Sequence, residues 1–130
     1  MEISHAEISD LQNFIVELNS AQESVVVVEG KRDSTALRKL GYGEKILEFH
    51  SFCGITKFAD SVSSHKNLIV LFDFDRKGKY LTRRIIMQLE RRTKIDLSYK
   101  KKLAQITRGR IRTIEELSKY ASFVDDFELT

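Results

Sequence analysis

The sequence predicts an α/β fold: a three-layer, Rossmann-like parallel sheet of three to four strands with helices on both faces. Three observations predict it. Short runs rich in apolar and β-branched residues recur at 24–28, 45–49 and 68–72, the length and character of buried strands. Each run is followed by a stretch whose apolar residues have helical spacing. The resulting alternation of strand and helix is that of a parallel sheet. The 130 residues contain no proline, no repeat and no low-complexity segment. One domain over 1–130 is therefore expected, with a core at about 22–95.

The N-terminal segment 4–19 reads as an amphipathic helix. Ser4 and Glu7 have capping-box spacing, and Ile8, Leu11, Phe14, Ile15 and Leu18 share one face. Strand one, Ser24 to Val28, runs into Glu29-Gly30-Lys31-Arg32-Asp33. Gly30 permits an unusual turn or a close approach. Asp33 and Ser34 read as caps of a helix from Thr35 to Leu40, ended by Gly41 and Gly43. Strand two is 45–49, followed by a turn at 51–54 and a helix over 55–64 carried by Ile55, Phe58, Ala59 and Val62. Cys53, in that turn, reads as a buried inert thiol, and His5, His50 and His65 as structural or exposed.

Strand three, Leu68 to Phe72, ends in Asp73 and Asp75, followed at once by Arg76, Lys77, Gly78 and Lys79. The next helix reads as Gly78 to Arg92. Leu81, Ile85, Ile86 and Leu89 form its apolar arc; Lys79, Arg83, Arg84 and Arg91 lie opposite, free for a polyanion. A short fourth strand is expected at 94–97. A basic helical extension covers 96–122: a helix over 98–107 with Lys100, Lys101 and Lys102, a loop with Arg108, Arg110 and Arg112, and a last helix opened by the capping-box pair Thr113 and Glu116. The acidic tail 125–130 reads as loose.

Residues i and i+2 of a strand project to the same side, so Asp73 and Asp75 leave the carboxyl end of strand three together. Open α/β sheets bind ligands at those ends, where the winding direction changes. If strand one is central, flanked by two and three, Glu29 faces the aspartates across neighbouring strand ends. Alone, Glu29 would pass for an exposed loop acid. Two carboxylates about 4 Å apart at an effective dielectric near 20 repel by about 4 kcal/mol. A hard divalent cation removes that penalty, and Mg²⁺ is commonly held by carboxylates together with substrate phosphates. The expected cofactor is one or two Mg²⁺, with Mn²⁺ as a substitute.

Net charge is only +3, but residues 76–112 hold 14 Lys/Arg against two acids, Glu90 and Asp96, a net of +12. A basic region beside paired carboxylates points to a nucleic-acid backbone. No apolar run approaches 18 residues, which excludes a membrane span. The N-terminus resembles neither a secretory nor a transit signal. A lone cysteine excludes an internal disulfide and fits the cytoplasm, and no Cys/His cluster suggests zinc.

Glu29-Gly30 after one apolar strand, and Asp73-Phe74-Asp75 after another, resemble the Toprim domain shared by topoisomerases, bacterial primases, overcoming-lysogenization-defect nucleases, RecR recombination proteins and the ribonuclease that matures bacterial 5S ribosomal RNA. The resemblance spans roughly 22–95. Gly30 and Asp33 match the Glu-Gly-x-x-Asp form of primases and the 5S-maturing ribonuclease. Asp73 to Gly78 is similar to the Asp-x-Asp-Arg-x-Gly of type IA topoisomerases, and Gly54 falls at the family's glycine turn after strand two. Small stand-alone archaeal Toprim proteins are the most similar branch, and the likeness to them continues through Gly109–Leu117. The resemblance implies Glu29 as general acid/base and Asp73 and Asp75 as Mg²⁺ ligands, with all three able to contact metal.

The function expected is Mg²⁺-dependent phosphodiester cleavage of structured RNA or DNA, as in RNA processing. Lys31, Arg32, Arg76, Lys77 and Lys79 would hold the substrate backbone, and Arg83, Arg84, Lys100, Lys101 and Lys102 would extend the track. The alternatives are a non-catalytic nucleic-acid-binding or assembly module of RecR type, and a metal-dependent phosphatase of small molecules. A topoisomerase or replicative primase needs more chain than this one has; Tyr42, Tyr80, Tyr99 and Tyr120 lack a gate domain to deliver them. A protein partner or self-association is left open.

Overall fold

The computed structural model describes residues 3–123. The elements, in order, are α1 (His5–Asn19), β1 (Ser24–Val28), α2 (Lys31–Lys39), β2 (Ile46–Glu48), α3 (Ile55–Val62), β3 (Asn67–Val70), α4 (Arg76–Leu89), β4 (Lys94–Asp96) and α5 (Ser98–Ile106). Two 3₁₀ helices, Phe49–Ser51 and Ile114–Tyr120, complete the set among the described residues. The four strands are parallel in the order β2-β1-β3-β4. Strand one is thus central, between two and three, as expected. The chain winds one way from β1 to β2 and the other way from β1 to β3, which opens the crevice at the carboxyl ends of β1 and β3.

The period-2 pattern of the strands separates two apolar layers. Val26, Val28, Ile69 and Leu71 face one side, packed with Leu11, Phe14 and Leu18 of α1, Leu37 of α2, Leu103 of α5, and Leu117 and Tyr120. Val25, Val27, Leu68, Val70 and Phe72 face the other, packed with Phe58 and Val62 of α3 and Ile85 and Leu89 of α4. Each such side chain stabilises the fold by about 1.5–3 kcal/mol when fully buried. A one-residue slip of β1 or β3 would exchange the two layers, so register is firmly set.

Several boundaries differ from the sequence expectation, for local reasons. Helix α2 begins at Lys31, four residues earlier than Thr35. Gly30 is its N-cap, and Asp33, already in the first turn, accepts a hydrogen bond from the Gly30 N–H at 3.1 Å. Helix α4 begins at Arg76, not Gly78, because Asp75 caps it and accepts from the Gly78 N–H at 2.8 Å. Strand two is shortened to three residues by the 3₁₀ turn at Phe49. The last helix is a 3₁₀ helix, opened by Glu116, whose carboxylate accepts from the Thr113 N–H at 2.8 Å.

Ser4 caps α1 by accepting from the Glu7 N–H, but Glu7 does not complete the box. Its carboxylate is buried instead, where it accepts from the Tyr120 hydroxyl at 2.5 Å and lies 3.3 Å from the Arg110 guanidinium. Tertiary partners have diverted a side chain that local spacing assigned to a cap.

Cys53 is exposed rather than buried, because the turn that carries it lies ahead of the α3 N-cap, Gly54, whose φ of 96° suits only glycine well. Ile86 is half-buried, outside the buried stripe of α4 formed by Thr82, Ile85 and Leu89. The acidic tail 125–130 lies outside the described residues. No helix among the described residues is long and apolar enough to cross a membrane.

Candidate metal centre

The three predicted acids meet. Glu29 follows β1 directly, and Asp73 and Asp75 follow β3, so neighbouring parallel strands deliver all three to one end of the sheet. Each offers a carboxylate oxygen, and these oxygens all lie within 4.8 Å of one another. Glu29 is 5% exposed, unlike the exposed loop acid it would pass for in isolation. The aspartates are half-buried.

Every member is held by a backbone N–H. Glu29 Oε2 accepts from Asp73 N–H, Asp73 Oδ1 from Ile114 N–H, and Asp75 Oδ1 from Gly78 N–H, each at 2.8 Å. Each carboxylate thus commits one oxygen to the fold, and the Asp73 and Glu29 carboxyls also lie within hydrogen-bonding reach of each other. The donor set is three hard oxygen ligands with neither Cys nor His, which suits a divalent cation of the Mg²⁺, Ca²⁺ or Mn²⁺ kind. The residues therefore fit a metal ion.

Within the cluster, burial and neighbouring charge disfavour the ionised form of Asp73. Burial pushes the Asp73 carboxyl up to about 6 from 3.8, and the charges of Glu29 and Asp75 add to the rise, against the Ile114 hydrogen bond. Asp33 is raised too, by burial first and then by Asp73. The sequence assigned Asp33 to capping, which it does; its proximity to Asp73 is a tertiary fact.

This has a measurable consequence for the metal-free protein. Between pH 3.8 and about 6 the folded chain keeps a proton on Asp73 that the unfolded chain has released. The stability from this group is full below 3.8 and falls as pH rises through 6, by on the order of 3 kcal/mol. Thermal melts in EDTA across that window should therefore show a falling component that Asp73→Asn removes. An identical pH slope in the variant would contradict it.

The predicted basic residues divide. Lys100 reaches the segment that carries the aspartates: its Nζ donates to the Asp73 carbonyl at 3.1 Å and stands 5.4 Å from the centre of the Phe74 ring. Burial holds its ammonium below the usual range, against the attraction of Glu29 and Asp73. Lys79, Arg83 and Lys101 line the same groove as Lys100, between α4 and α5. Arg76 and Lys77 are exposed in the first turn of α4. Lys31 and Arg32 line a separate hollow against the C-terminal 3₁₀ helix, where Arg32 pairs with Glu115 at 3.8 Å. Arg84 turns to Tyr80, at 2.7 Å from its hydroxyl. Lys102 pairs with Glu17 of α1.

Sequence reasoning missed the role of residues 112–114. Phe74 N–H donates to the Arg112 carbonyl at 2.8 Å while Ile114 N–H holds Asp73. This backbone strut fixes the strand end that carries both aspartates. The only signal for it was the family likeness through Gly109–Leu117, which named no contact.

The chain is 35% identical over 94 residues to a UPF0292 protein of Thermococcus sibiricus, covering 72% of this chain and 74% of that one. It is 34% identical over 118 residues to a UPF0292 protein of Archaeoglobus fulgidus, covering 88% and 92%. Among solved structures, a protein from Aquifex aeolicus superposes with a TM-score of 0.67 at 26% identity, over 82% of this chain and 96% of that one. No family model matches the chain.

Proposed function

The chain belongs to the UPF0292 family, and from the site carried on its fold we propose that it is a Mg²⁺-dependent nuclease of Toprim type acting on structured RNA or DNA. The observation that carries the reading is the meeting of Glu29, Asp73 and Asp75 within 4.8 Å beside a groove lined by Lys79, Arg83, Lys100 and Lys101. Glu29, Asp73 and Asp75 would hold the metal. Bound Mg²⁺ would neutralise charge on a phosphate and lower the pKa of an attacking water. Glu29 would move the proton. The basic side chains would hold the flanking phosphates without reading sequence, and Lys100 would anchor the Asp73 strand end.

The test is a panel of structured RNAs and DNAs incubated with Mg²⁺, with Mn²⁺ and with EDTA. Cleavage of at least one substrate in Mg²⁺, and none in EDTA, is the expected result. Cleavage that persists in EDTA would sink the reading.

A second reading is a non-catalytic nucleic-acid-binding module. It is favoured by the hydrogen bonds that tie each of the three carboxylates to a backbone N–H, since these give the acids structural work without chemistry. Salt-sensitive binding with no scission under any divalent metal would select it.

A further inference from the structure

The groove between α4 and α5 has a feature that phosphate binding does not require. Its floor is apolar: Phe74, Ile86, Leu97 and Ala104 line it. Its rim is cationic, from Lys79, Arg83, Lys100 and Lys101, and among the described residues no acid contributes to its lining. Its volume is about 550 Å³, within the range of pockets that enclose small ligands. A polyanion track needs only the rim. An apolar floor costs solvation when left open to water, and here it collects side chains that are only half-buried, Phe74, Ile86, Leu97 and Ala104.

The position of the groove matters as much as its lining. Phe74 lies between Asp73 and Asp75 in the chain, so the floor starts at the metal centre. Lys100 joins the two, with its Nζ on the Asp73 carbonyl and near the Phe74 ring. A ligand that fits has an apolar, flat portion flanked by negative charge. An unpaired nucleotide has that form: a base for the floor and phosphates for the rim. In a duplex the base is stacked and paired, and its apolar faces are unavailable.

Resting on the nuclease reading, we infer that this groove takes an unpaired base next to the reacting phosphate, so that the substrate is single-stranded or splayed at the cleavage point. The base packs on the Phe74–Ile86–Leu97–Ala104 floor, and Lys79, Arg83 and Lys101 hold the flanking phosphates. Recognition by packing on an apolar floor is tolerant of base identity.

The experiment compares a fluorescein-labelled single-stranded DNA with a fully abasic strand of equal length, by anisotropy, at fixed salt in EDTA. Phosphate charge is the same in both. Packing of one base gives a preference for the intact strand of at least about fivefold. Ala104→Trp, which fills the groove, and Phe74→Leu, which removes the ring, should each bring that ratio to about one. Circular dichroism checks folding, and Phe74→Leu decides alone if Ala104→Trp does not fold. Equal binding of the two strands overturns the inference, and so does a preference that survives in a folded variant. A groove built to dock another protein gives those same results. Scission in Mg²⁺ is scored separately on the same protein. Scission without a base preference overturns only the groove assignment; a base preference without scission overturns only the nuclease.

Discussion

Under the proposed nuclease reading, Glu29→Gln is expected to lower Mg²⁺-dependent cleavage by roughly 10²–10⁴-fold while leaving nucleic-acid affinity within about a factor of two of the parent, since the cations proposed to hold the backbone are untouched. The change is nearly isosteric. The amide oxygen can still accept from the Asp73 N–H that Glu29 Oε2 holds at 2.8 Å, so the strand end keeps its anchor. What is lost is a charge at a site 5% exposed, and with it both the proposed metal ligand and the proposed proton acceptor. Two measurements separate these losses: single-turnover cleavage, and Mg²⁺ or Mn²⁺ titration by calorimetry. Asp73→Asn should weaken the metal isotherm as well, because its carboxylate shares the same cluster. Full cleavage by Glu29→Gln would remove the glutamate from the chemistry. Equal loss of binding and cleavage would mean that the variant has failed to fold.

Gly78→Ala carries the second large effect, and its sign is the opposite of the ordinary one. Within a helix this exchange usually stabilises by up to about 1 kcal/mol. Here a Cβ on Gly78 would stand 2.0 Å from the Asp73 carbonyl oxygen, 2.6 Å from its carbon and 2.9 Å from its Cα. These are backbone atoms of the residue at the centre of the acid cluster, so no side chain can turn aside. Either α4 or the end of β3 must move. A loss of about 3 kcal/mol is expected, which for a domain of this size lowers Tm by roughly 10 °C. The Gly78 N–H that caps onto Asp75 would be displaced too, so metal affinity should fall together with stability. A Tm at or above that of the parent would show that the first turn of α4 is not pressed against Asp73 as described. The glycine in the Asp-x-Asp-Arg-x-Gly pattern thus has a physical reason here: it lets a helix start directly over the strand that delivers the aspartates.

The parts legible in the sequence are those set by local pattern. Val25 to Val28 and Leu68 to Phe72 are uniformly apolar because both faces of a central parallel strand are covered, and that announces a buried strand in any context. The i, i+2 spacing of Asp73 and Asp75 and the position of Glu29 just past β1 follow from strand geometry, and topology then leaves few ways to arrange three such units. The acid cluster could be foreseen on those grounds. What tertiary structure decided is how each of these groups is used. Asp75 is a helix cap as well as a candidate ligand, Glu7 serves Tyr120 and Arg110 in place of its own helix, and Ile86 faces a groove instead of the sheet. Lys100 reaches the Asp73 carbonyl and Ile114 the Asp73 carboxylate from 27 and 41 residues away in sequence. Such contacts depend on where whole elements pack, and a charge or an amide carries no mark in its own neighbourhood of the distant partner it will meet.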